Sequence, residues 1–87
     1  MSSGNEWDEL ARTKLIRVLG ASEGEIVFTR TLTKLGKYKL RTPSDVYLFA
    51  QILKHETSVI AAVGSMLALT AVIRGADPAK LDELTQS

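Results

Sequence analysis

Between Val59 and Ile73 the chain carries no charge, and Ser65 and Thr70 are the only polar side chains that interrupt the run. A helix apolar on every side has to be enclosed by other elements, so the pattern predicts a central helix over residues 57–74, packed on at least two sides. Within it Thr57, Ala61, Gly64, Ala68, Ala71 and Gly75 recur at steps of four and three. On a helix these positions fall along one side, where another backbone can come close. Val59, Ile60, Val63, Met66, Leu67, Leu69, Val72 and Ile73 fill the rest of the circumference.

The other elements are read from the same periodicity. A first helix is expected from Asn5 to Leu19, with Asn5 as cap, acids in the first turn and Gly20 as the stop. Trp7, Leu10, Ala11, Leu15, Val18 and Leu19 make its buried face, and Ile16 lies opposite. Ser22 and Glu25 have the spacing of a capping box, and Gly36 supplies a stop, which together bound a second helix near residues 23–35. Helical geometry groups Val27, Phe28, Thr31, Leu32 and Leu35 on one side. The same stretch is rich in strand-favouring types, so residues 23–41 could instead form a β-hairpin.

Thr42, Pro43 and Asp45 mark the start of a third helix: a cap, a proline at the first helical position and an acid two residues on. Val46, Phe49, Ala50 and Leu53 form one apolar stripe on it, Leu48 and Ile52 another. A break near His55 to Thr57 separates it from the central helix, since one helix from Pro43 to Arg74 would be long for so small a domain. Asp77 and Pro78 then start a last short helix, anchored by Leu81 and Leu84. The fold class is all-α: a compact bundle of about five short helices in a single domain, 1–87.

Composition narrows the function more by exclusion than by indication. There is no cysteine, which removes disulfides, thiolate metal sites and cysteine nucleophiles. His55 is the only histidine, and Val59 stands where a HExxH motif needs its second one. Gly64-Ser65-Met66 lacks the nucleophile-elbow pattern, and no phosphate-cradling glycine loop is present. No catalytic residue, metal ligand or cofactor is therefore expected, and the chain reads as a non-enzyme. The opening MSSGNEWDEL has neither the basic nor the apolar part of a secretory signal, and the expected location is cytoplasmic.

A net charge of +1 conceals an acidic, basic, acidic order along the chain. Arg30, Lys34, Lys37, Lys39 and Arg41, with Tyr38 among them, are the candidate site for an anionic partner. Ala61, Gly64, Ala68, Ala71, Leu48 and Ile52 are the candidates for helix packing or an interface. The leading expectation is a helical interaction or self-assembly module that binds another protein or itself, possibly head to tail, through apolar helix faces and the basic 30–41 segment. Nucleic-acid binding through that segment is the alternative, although a sequence pI of 8.1 is below the range usual for such domains. A membrane-inserted protein is the third, disfavoured by an uncharged run shorter than the ~20 residues that span hydrocarbon.

Overall fold

The computed structural model describes residues 6–56 and 58–80, apart from the side chain of Ser58. Four helices follow in order: α1 (Glu6–Leu19), α2 (Ala21–Leu35), α3 (Pro43–Leu53) and α4 (Ser58–Ile73). A further helical turn at 78–80 begins where Asp77 and Pro78 were expected to start one; Leu81 and Leu84, like Asn5 and Thr57, lie outside the described residues. No strand occurs among the described residues, so residues 23–41 are helix and connector, not a hairpin. Burial decides it: Val27, Phe28, Thr31 and Leu32 lie inside together, which a helix permits and an alternating strand does not. The Thr31 and Thr33 hydroxyls donate to the carbonyls of Val27 (2.7 Å) and Thr29 (3.0 Å), the back-bonding by which threonine is accommodated inside a helix.

The helices form two hairpins, each with a glycine where its two helices cross. Gly20 alone joins α1 to α2, and its φ of 93° is a conformation that side chains rarely adopt. Because α2 starts directly after it, with no side-chain cap, the expected Ser22–Glu25 capping box does not form. Glu25 lies instead 3.1 Å from Arg12 Nε, a charge contact without hydrogen-bond alignment. Arg12 also stands over the Phe28 ring at 4.9 Å. At Gly24 a Cβ would fall 2.7 Å from Ile16 Cα, so α1 and α2 cross with their backbones nearly touching. This reverses two assignments on α1: Ile16 faces α2, and Val18 is left 46% exposed.

The second hairpin is α3 and α4, with a turn at 54–56 between them as the break near His55 anticipates. Thr42 Oγ1 accepts from the Asp45 amide (3.1 Å) and Asp45 Oδ2 accepts from the Arg41 amide (2.8 Å), so the start of α3 is capped in both directions. Gly64 sits at the crossing, where a Cβ would meet the Ala50 carbonyl oxygen at 2.8 Å and Leu53 Cβ at 2.9 Å. The helix ends at 36 and 75 share one solution: the Lys37 amide donates to Leu32 and the Ala76 amide to Ala71, the six-to-one bond of a Schellman motif around a glycine.

The hairpins stack through α2 against α3, with the Phe28 and Phe49 rings 5.5 Å apart, and α1 reaches α4 where Arg74 lies over Trp7 at 5.6 Å. α3 is the most enclosed helix: Val46, Phe49, Ala50 and Leu53 are fully buried and Tyr47 nearly so. The radius of gyration, 11.9 Å, is that of a collapsed globule of this length, about 12 Å.

The connector between the hairpins is held by one buried apolar residue and one buried acid. Leu40 is fully enclosed, and its amide donates to Asp8 Oδ1 at 2.6 Å across to α1. Asp8→Ala strands that amide in the interior, and the expected loss is about 1–3 kcal/mol in urea denaturation. Asp8→Asn, which keeps an acceptor, is expected to lose markedly less.

Candidate interaction surface

The apolar run does not end up enclosed on all sides. α4 lays one side on α3, and there Val63, Gly64, Leu67, Ala68 and Ala71 are buried. Its opposite side stays open: Val59 (51% exposed), Met66, Leu69 (63%), Val72 and Ile73 (73%) face outward, with Ala62 and Ser65 between them. Of the sides expected to be packed, the small-residue side is the one covered, and the larger side chains of the opposite side are left open. The physical reason lies in Gly64 and its neighbours: small residues let α3 come close, which draws that side inward and turns the larger side chains out. These side chains leave a contiguous apolar strip along one helix.

The candidate interface residues therefore divide. Gly64, Ala68 and Ala71 are buried and Ala61 is half-buried, so they belong to packing within the fold. Leu48 and Ile52, on α3, are also half-buried. The outward residues of α4 were legible only as the remainder of its circumference. The signal for them is the step of three, four, three and four residues through Val59, Ala62, Met66, Leu69 and Ile73.

The basic segment is partly neutralised by acids that are distant in sequence. Glu56, in the turn before α4, lies 3.3 Å from Arg30 Nη2 through one oxygen and 3.3 Å from Lys34 Nζ through the other. Asp45 Oδ1 stands 3.4 Å from Lys37 Nζ. Exposed pairs of this kind stabilise a fold by at most about 1 kcal/mol each, but they weaken the field that a polyanion would feel. Tyr38, 98% exposed, together with Lys37, Lys39, Arg41 and Asp45 borders a shallow depression of about 240 Å³. A larger groove of about 420 Å³ follows α1 past Glu6, Leu10 and Arg17, and the described residues that line it all belong to that helix.

Among the described residues no three groups of the metal-binding types stand together, and His55 is exposed at the α3–α4 turn. No described helix is long and apolar enough to cross a membrane. No protein-family model, curated protein or solved structure matches the chain.

Proposed function

We propose that this chain is a small, non-enzymatic, cytoplasmic interaction module that binds another protein, or a second copy of itself, through the outward face of α4. The observation that carries this reading is the open strip from Val59 to Ile73, where five large apolar side chains stand exposed on one helix of a well-packed fold. Scattered exposed apolar residues are ordinary, whereas a continuous strip on one element keeps an unfavourable contact with water that docking removes. Tyr38, Lys39 and Arg41 on the connector supply electrostatic selectivity at a second position.

Nucleic-acid binding stands behind this reading, because Arg30, Lys34 and Lys37 already have carboxylate neighbours in Glu56 and Asp45. The test uses one exposed residue. Leu69→Lys is expected to leave the melting curve within about 0.5 kcal/mol of the parent at low protein concentration. It is also expected to abolish both self-association and affinity capture of any partner. Unchanged association in that variant would place the contact elsewhere.

A further inference from the structure

We infer that the occupant of the α4 strip is a second copy of this chain, docked by antiparallel pairing of α4 with α4 about a two-fold axis that passes between Met66 and Leu69. The inference rests on the interaction-module reading and deepens it. Val59, Ala62, Met66, Leu69 and Ile73 all face outward. Their spacing is the a and d repeat of a helix that meets another nearly along its own axis. Ser65 and Val72 flank that line.

In an antiparallel pair each a position meets a d position of the other helix. Setting Met66 opposite the partner's Leu69 also sets Ile73 opposite the partner's Ala62, so the most exposed large side chain meets the smallest one. Layers that match large with small fill evenly. A parallel pair would oppose Ala62 to itself and Ile73 to itself, leaving a void at one layer and crowding at the other. Residues 58–73 carry no charge, so the strip meets its own image without repulsion, and antiparallel helix dipoles attract.

Charge also argues against the head-to-tail alternative. Asp8 is buried on the Leu40 amide and Glu9 lies 3.4 Å from Arg12, while Lys37 is held by Asp45. Of the three first-turn acids of α1 this leaves Glu6 for the connector of the next copy, one charge where the head-to-tail contact calls for several. One helix face makes a small interface, and interfaces below about 1,200 Å² in all are those of weak, transient complexes.

The full chain, followed by sedimentation equilibrium from about 10 µM to about 1 mM, is expected to pass from one-chain to two-chain mass. Leu69→Lys is expected to hold it at one. The register is read by oxidation, since the chain has no cysteine of its own. Ala62→Cys and Ile73→Cys placed together lie about 16 Å apart on one helix, too far to join within a chain. A doubly bridged dimer that forms rapidly while neither single variant bridges rapidly supports the antiparallel register, whereas rapid bridging by Ala62→Cys alone, as a parallel pair gives, overturns it. A monomer at the top concentration overturns the pairing. If that monomer captures a different protein and Leu69→Lys abolishes the capture, the module reading survives with another occupant; if it captures none, both fall. A monomer whose melting temperature drops by more than about 5 °C in Leu69→Lys would show that Leu69 is packed within its own chain, which also overturns the pairing.

Discussion

Gly64→Leu is expected to destabilise the fold by about 3 kcal/mol or more, and Gly64→Ala by a smaller but still unfavourable amount. Helix propensity alone predicts the opposite, since replacing a mid-helix glycine by alanine gains about 1 kcal/mol. The contacts decide the sign. A Cβ at this position would lie 2.8 Å from the Ala50 carbonyl oxygen and 3.0 Å from the Lys54 amide nitrogen. Both are backbone atoms that no rotamer change can move aside. Even alanine therefore has to push α3 and α4 apart, which loosens Leu53, Val63 and Leu67, all buried to within 1%. Ser65→Ala, one residue on and exposed, is the control and is expected to change stability by less than about 0.5 kcal/mol. Thermal unfolding followed by circular dichroism separates the cases; a Gly64→Leu curve that overlays the parent would mean the two helices do not touch here.

The elements themselves were legible wherever local chemistry decides them. Thr42, Pro43 and Asp45 announce the start of α3 and do what their types suggest, because a cap acts within one turn and needs no knowledge of the rest of the fold. Gly36 and Gly75 likewise end helices with positive φ. The α2 start is the instructive miss. Ser22 and Glu25 have the right spacing for a capping box, yet the one-residue joint at Gly20 starts the helix earlier and leaves Glu25 to face Arg12. How tightly two helices are joined is a tertiary property, and it overrode a local signal.

Which side of α4 would be covered was not legible from its composition. Both sides are apolar, so amphipathicity gives no direction, and the small-residue side could equally have been an external contact. The close approach at Gly64 settles the direction from within the fold. The basic segment was read as an uncompensated run because residues 26–44 contain no acid before Asp45. The fold brings Glu56 from the next turn against Arg30 and Lys34, a contact between residues more than 20 positions apart that no window along the chain can contain. Asp8 shows the same limit: its place in the first turn of α1 suggests a helix-dipole role, and it holds the connector through the Leu40 amide instead.

Phe49→Ala is expected to cost about 3–5 kcal/mol, the largest effect of any single truncation considered, and to lower the melting temperature by on the order of 15 °C. Its ring is fully buried and lies at 48° to the Phe28 ring with centroids 5.5 Å apart, an arrangement that adds about 1 kcal/mol beyond area burial. The position also matters for what the ring joins. Each hairpin has its own glycine crossing, at Gly24 and at Gly64, but between the hairpins the Phe28–Phe49 contact is the central apolar link. A domain of this size has a total stability of roughly 0.1 kcal/mol per residue, so losing the link removes a large share of it. Phe49→Leu, which keeps most of the volume but not the ring, is expected to recover more than half of the loss. Because Phe49 packs on Phe28 of α2 and the open strip lies on the side of α4 away from α3, association measured below the melting transition should survive Phe49→Leu and fail in Leu69→Lys. A variant at 49 that abolished association while leaving the fold intact would show that the strip depends on the hairpin junction and is not an independent face of α4.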